Sequence, residues 1–261
     1  MKVLDTFTEL EAELEAELEA RRRQYKYYRD ALLTFDDRSD ASAQASKQAS
    51  KQAIRITTLG EIGTIFGGLT GKSKTDFTNG NARYVSYVNV FNNLAVDTKK
   101  DDFVKVESNE RQRTLQHGDI IFTGSSETPE DVGMSSVVTS EIDEPIYLNS
   151  FCIGYRLTDK NTIDPEFAKH LFRSEELRKQ IVRTASGVTR FNVSKLRLAK
   201  VKIPIIDLSE QKRIANILDQ FDALVNDLSS GLPAEIKARR QQYEHYRDQL
   251  LRFPRQENAI A

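Results

Sequence analysis

Chemistry in this 261-residue chain would have to start from three histidines, one cysteine and a glycine-rich loop with a lysine. The loop GGLTGKS, residues 67–73, resembles a phosphate cradle, but that motif requires glycine where Phe66 stands. His117, His170 and His245 lack metal-ligand spacing, and Cys152 alone cannot complete a zinc site. Ser125-Ser126-Glu127 sets a hydroxyl beside a carboxylate without the G-x-S-x-G elbow that exposes a nucleophile. No glycine-rich dinucleotide fingerprint follows a strand pattern. None of the six prolines adjoins another, so an N/D-P-P-Y/F/W methyltransferase motif is missing. The sequence therefore predicts no catalytic residue, no cofactor and no metal.

Recognition chemistry is better supplied. Polar, glycine-flanked segments carry Lys72, Ser73 and Lys74, then Tyr84, Ser86, Tyr87 and Asn89, then Ser125, Ser126, Glu127 and Thr128. The run 187–195 adds Thr189, Arg190, Asn192, Ser194 and Lys195. Arginine, lysine, asparagine and serine are the side chains that pair with major-groove donors and acceptors or with phosphates. For each of these positions a turn hydrogen bond is the competing role. Asn192 and Ser194 equally suit capping of the helical turn that follows.

The elements that must hold these residues change character at Ile54. ITTLGEIGTIFGG (56–68), RYVSYVNVF (83–91), GDIIFTGSSE (118–127), EPIYLNSFCIGYRL (144–157) and AKVKIPII (199–206) are β-branched and aromatic-rich, which predicts strands around glycine turns. Residues 165–185 place Phe167, Leu171, Leu177 and Ile181 on one helical face. A mixed α/β domain over residues 54–206 follows, with Leu208 to Leu228 leading into a C-terminal helix.

A duplication frames that domain. LEAELEARRRQYKYYRDALLTF (14–35) and LPAEIKARRQQYEHYRDQLLRF (232–253) are identical at 14 of 22 positions. LDTFTEL (4–10) and LDQFDAL (218–224) form a weaker echo. Leu14, Leu18, Arg21, Tyr25, Tyr28, Leu32 and Phe35 step alternately by four and three, as do Leu232, Ile236, Arg239, Tyr243, Tyr246, Leu250 and Phe253. That is the seam of helices that pack along one another. Of these, Leu14, Leu18, Tyr25, Tyr28, Leu32, Leu232, Ile236, Tyr243, Tyr246 and Leu250 are the expected helix-pairing residues. Ser229 to Pro233 should break the second copy, with Pro233 opening a new helical stretch. A generic dimerisation handle is the plainer alternative. Between helix and domain, residues 37–53 repeat QASK at 44–47 and 48–51, the composition of a solvated helix extension or a linker.

Composition bounds the setting. No stretch approaches the roughly 18 apolar residues that span a membrane. Asp5 and Glu9 interrupt the place where a signal peptide needs an apolar core, and a lone cysteine suits a reducing compartment, so a cytoplasmic location is expected. Net charge is −2 over residues 1–53, +2 over 54–206 and −1 over 207–261. Such a domain should bind DNA weakly by itself and lean on partners for phosphate contacts.

LGEIGTIFGGLTGKSKTDF (59–77), YVSYVNVFNN (84–93), GDIIFTGSSETPEDVGMSS (118–136), YLNSFCIGYRL (147–157), SGVTRFNVSKLRL (186–198) and IPIIDLSEQKRIANILDQFDALV (203–225) resemble the specificity (S) subunit of type I restriction–modification enzymes. The resemblance implies a target-recognition domain at 54–206 between long coiled-coil-type helices at 1–36 and 207–254, with 37–53 as repeat linker or helix extension. It implies double-stranded DNA as ligand and methyltransferase (M) and restriction (R) subunits as partners. Those partners would bind S-adenosylmethionine, methylate adenine and hydrolyse ATP. A full S subunit has two recognition domains where this chain has one, so the chain resembles a half-subunit. It would pair with a second copy of itself or another half and read a palindromic, interrupted site. A coiled-coil interaction protein without DNA specificity and a silent donor half are the alternatives.

If residues 37–53 are helical, inserting one more QASK unit adds about 6 Å at roughly 1.5 Å per residue. The unspecified spacer of the DNA site should then grow by about one or two base pairs at ~3.4 Å each. Methylome sequencing of the three-repeat variant checks this, and an unchanged spacer would make the segment slack.

Overall fold

Ile120, Ile121 and Phe122 form an apolar run of the kind that stays dry on both faces, and all three are fully buried. In a computed structural model they lie in a central sheet. The structure describes residues 2–35, 54–226 and 231–250, so the QASK repeat lies outside the described residues. These residues form two compact units, one spanning 30–215 and the other the described parts of 1–29 and 216–261.

The chain begins with α1 (Lys2–Leu33). β1 (Arg55–Thr58) leads through the single turn α2 (Leu59–Ile62) into β2 (Gly63–Gly67). A 3-10 turn (Lys74–Phe77), β3 (Ala82–Val85), α3 (Tyr87–Asn92) and β4 (Phe103–Val104) follow. Then come β5 (Ile120–Thr123), β6 (Ser125–Ser126), β7 (Ser135–Val137), β8 (Ile146–Leu148) and β9 (Cys152–Leu157). α4 (Pro165–Leu171), α5 (Glu175–Val182), β10 (Ala185–Ser186), β11 (Phe191–Val193), α6 (Lys195–Leu198) and β12 (Lys202–Ile205) complete the domain before α7 (Leu208–Asn226) and α8 (Leu232–Leu250).

The central sheet has the order β2-β9-β5-β7 and is antiparallel throughout. Phe66 pairs with Gly154, and a Cβ on that glycine would lie 2.2 Å from the Phe66 ring, so only glycine admits the ring. Phe66 also belongs to a buried cluster with Val85, Val90, Ile121, Leu148 and Cys152, which joins this sheet to the mixed sheet β4-β3-β8. The remaining strands form β1-β12 and the small sheet β10-β11-β6. The domain is mixed α/β, as the sequence pattern indicates.

Three expected elements change. Residues 83–91 are not one strand: β3 stops at Val85, Ser86 stays extended at ψ 161°, and α3 starts at Tyr87. Tyr87 and Phe91 then stack one turn apart, and Val90 turns into the core, so packing overrides β propensity. The helical stretch 165–185 divides in two because Ser174 caps a new helix by accepting the Leu177 N–H. Within 56–68, Glu61 accepts the Thr58 N–H at 2.8 Å and the Thr57 hydroxyl at 2.6 Å, which inserts α2 between two strands.

In the helical unit, α1 runs antiparallel to the end of α7 and to α8. Glu15 meets Arg240, Leu18 and Ile236 line one groove, and Tyr28 stacks on Phe221 at 5.3 Å. Leu18, Tyr25, Leu232 and Ile236 are buried; Leu14, Leu32 and Tyr243 are half-buried; Tyr28 and Tyr246 are exposed. The Leu250 side chain lies outside the described residues. Pro233 stands in the first turn of α8, where its missing N–H costs nothing. Among the described residues no helix is long and apolar enough to cross a membrane.

At one end of the central sheet, Asp119, 1% exposed, takes two N–H groups of Arg156 at 2.6 and 2.7 Å and the Gln116 N–H at 2.8 Å. Removing one member of a buried pair leaves the other uncompensated. Asp119→Ala should therefore lower the unfolding free energy by about 3 kcal/mol, read from urea denaturation. A loss below about 1 kcal/mol would show the pair to be idle.

Candidate nucleic-acid interface

β5 leaves the core at Thr123 and continues as β6, where Ser125 pairs with Asn192 and Ser126 with Phe191 of β11. β11 returns from β10 around Gly187, whose φ of 145° is open to glycine but not to side chains. That hairpin carries Arg190 over the sheet edge. Its Nε and Nη2 donate to Ser125 Oγ at 3.2 and 2.9 Å, and the guanidinium lies 5.6 Å from the Phe151 ring centre. The Gly124 N–H donates to the Phe151 carbonyl, and the Tyr87 hydroxyl donates to the Ser125 carbonyl at 2.9 Å. Two strand ends, a hairpin and α3 thus converge.

Between them opens a cleft of ≈ 550 Å³ lined by Tyr87, Phe91, Phe151, Arg190, Glu127 and Asp131 with the hydroxyls of Ser125, Ser126 and Thr128. A second depression continues it past Gly67, Ser150, Phe151, Asn192 and Lys195. Large apolar side chains are exposed on the elements that form it: Phe151 at 57% in the lining, Val88 on α3 at 55% and Val188, on the hairpin, at 91%. Apolar groups gathered beside a polar cleft mark a surface made to be covered.

Arginines under the rim brace it. Arg178 donates to the carbonyls of Glu130, Val132 and Gly133, which holds the Glu127–Asp131 loop in place. Arg173 does the same for Ser135 and for Val90, Phe91 and Asn93 at the end of α3. Burial lowers the Arg178 pKa, with Asp131 acting in the opposite sense.

Of the residues singled out from sequence, the structure brings Tyr87, Ser125, Ser126, Glu127, Thr128, Arg190, Asn192 and Lys195 to this cleft and its continuation. Thr189 is exposed on the same hairpin. Others have different employment. Ser194 caps α6. Asn89 is 2% exposed and spends its amide on Asp97 N and O, inside α3's packing. Ser86 donates to Asp102, and Tyr84 packs edge-on against Phe77. Burial and the Asp102 charge raise the Tyr84 pKa. Ser73 bonds Asp76 beside exposed Lys74, and the Lys72 side chain is buried in an ion pair with Glu110. Phe151, Phe91 and Asp131 reach the cleft without having been singled out. No signal in the sequence marks the first, since a phenylalanine in a strand-like run reads as core.

No group of three or more His, Cys, Asp or Glu that could hold a metal occurs among the described residues. His117 faces Glu141, His170 is buried on α4, and His245 meets Tyr246 edge-on. Burial pushes the Cys152 thiol up to about 12, so it is not a thiolate at neutral pH.

Comparison with known proteins gives a consistent result. The family described as the type I restriction modification DNA specificity domain matches residues 54–238. The type I restriction enzyme EcoR124I/EcoR124II specificity subunit of Escherichia coli is 32% identical over 99% of this chain and 60% of its own length. In fold, the chain resembles the HsdS subunit of Thermoanaerobacter tengcongensis (TM-score 0.57, 15% identity, 93% of this chain and 54% of that one). A chain from a structure of a type I R-M system is similar too (TM-score 0.56, 17% identity, 95% and 57% covered). The chain thus spans little more than half the length of these relatives.

The Lys72 pair has a titratable consequence. The Lys72 amine, the Gln112 amide and the Glu107 N–H hold the Glu110 carboxyl down at about 2, below its ordinary 4.5. A depressed carboxyl stabilises the fold above the unfolded value and loses that contribution as pH falls towards the folded one. NMR titration should place the Glu110 midpoint near 2, and Lys72→Ala should move it towards 4.5. A wild-type midpoint near 4.5 would mean that the pair does not form.

Proposed function

Because the chain belongs to the type I restriction modification DNA specificity family, we propose that residues 54–206 read base edges in one part of a bipartite DNA site, with Arg190 as the central reader. The observation that carries this is the tethering of Arg190. Ser125 Oγ occupies Nε and one hydrogen of Nη2, while Cζ lies over the Phe151 ring. Nη1 and the outer hydrogen of Nη2 remain side by side, the fork that guanine O6 and N7 accept. Lys195, Thr189 and Asn192 flank it as backbone or base contacts. Lys72, Ser73 and Lys74 serve an adjoining phosphate through Lys74, with the other two shaping the turn.

The chain itself catalyses nothing in this reading. The helical unit of α1, α7 and α8 is a coiled-coil-type spacer and a docking surface for methyltransferase subunits, which carry S-adenosylmethionine and modify adenine. Restriction subunits join the same assembly. Spanning about half of its relatives, the chain supplies one recognition domain and pairs with a second copy or another half, so that two domains address two half-sites.

Arg190→Lys tests the central claim because it keeps the charge and removes the fork. Selection from a randomised duplex library, with methyltransferase subunits present, should show a guanine preference lost by about tenfold or more at one position. The slope of affinity against salt should be retained, since phosphate contacts are untouched. An unchanged selected sequence would remove Arg190 from the reading.

A further inference from the structure

The cleft that holds Arg190 also holds a carboxylate with nothing to do. Glu127 is exposed on the loop after β6, lines the cleft, and has no hydrogen-bond or ion-pair partner among the described residues. Its neighbour Asp131 is different: it accepts the Thr128 hydroxyl at 2.5 Å and thereby closes the loop that presents Glu127. Arg178 fixes the far end of that loop through three carbonyls. Glu127 is therefore a free acceptor on a braced support.

We infer that Glu127 is a second specificity-determining residue and accepts the amino group of a cytosine within a base-pair step of the guanine taken by Arg190. This rests on the reading of Arg190 given above. A carboxylate facing a duplex is repelled by phosphates, so it is tolerated over the groove floor, where amino groups donate. Adenine and cytosine both present such a donor. Adenine, however, sets its N7 acceptor beside N6, and an acceptor-only carboxylate opposes that lone pair. Cytosine presents N4–H alone, the edge that glutamate accepts. Arginine with its paired donors selects guanine by the mirror argument. A donor fork and a lone acceptor in one aromatic-walled cleft thus match a G·C-containing step and disfavour A·T.

The test is Glu127→Gln in the full chain with methyltransferase subunits, selected on the same randomised duplex library beside Arg190→Lys and wild type. Glutamine is nearly isosteric and both donates and accepts, the pattern adenine takes. Preference for cytosine at one position should fall about tenfold, with adenine gaining there, while a guanine within a base-pair step persists. Glu127 has no partner to lose, so folding is not at stake, and equal thermal melting confirms it. Two results overturn the inference. Either Glu127→Gln selects the wild-type sequence while Arg190→Lys does not, or it raises affinity for all duplexes alike, which is relief of repulsion only. If Arg190→Lys also selects the wild-type sequence, the underlying reading falls with it.

Discussion

Fixing an arginine side chain costs up to about 2 kcal/mol of rotamer entropy, and Arg190 has met that cost before any ligand arrives. Two N–H bonds to a single hydroxyl and a ring face hold it. Ser125 provides that hydroxyl only because its β strand pairs with Asn192 in one register, and a slip of one residue would turn the hydroxyl away. The register in turn descends from β5, whose four residues are all buried and whose continuation past Gly124 delivers Ser125, itself buried, to the wall of the cleft. The core therefore sets the aim of a residue on a hairpin that would otherwise wander.

The same economy governs the interior cations. Arg173 and Arg178 each donate to several backbone carbonyls. A charged donor to a neutral carbonyl is stronger than a neutral hydrogen bond, so each such contact ties a loop firmly. Loops braced this way need little secondary structure of their own, which suits segments such as 127–134 that must present side chains outward. Asp119 and Arg156 follow the opposite rule, a paired charge closing the far end of β5 and β9. Stiffness at both ends of the central sheet lets the cleft end carry polar groups without collapsing onto them.

Much of this architecture was legible in the sequence, but unevenly. Apolar runs such as 120–123 and 152–157 announced buried strands, and the duplicated helices announced themselves by identity alone. Hairpin residues 189–195 were singled out by composition, and Arg190 and Asn192 do reach one cleft. Asn89 shows the limit. Its type suits adenine, yet a buried side chain satisfied by Asp97 on both sides holds α3 together. The sequence window 83–91 read as a strand because valines and aromatics favour one, and only the position of Val90 in the core makes the helix win. The Lys72 ion pair is equally invisible in the sequence: its partner Glu110 lies 38 residues away, beyond any local pattern. Phe151 escaped because an aromatic in a strand-like run is ordinarily core. Whether such a residue points in or out is decided by register, which pattern alone does not carry.

On the proposed reading, a domain with net charge near zero and two carboxylates in its cleft is poorly made for holding DNA and well made for judging it. Affinity for duplexes comes mostly from phosphates, and this surface offers few cations for them. Selectivity is a difference between sequences, and it grows when a wrong base leaves a donor or an acceptor stranded in a dry site. On that reading Arg190 and Glu127 would each be stranded by most base pairs, so nearly all sequences would be rejected and few gripped. Such a reader works only where something else supplies the grip. Two half-sites tied by one helical frame, with partner subunits on the backbone, would supply it through effective concentration rather than through stronger contacts. The modest basicity of the domain is then a requirement, because a stickier surface would hold the assembly on sequences that it should leave.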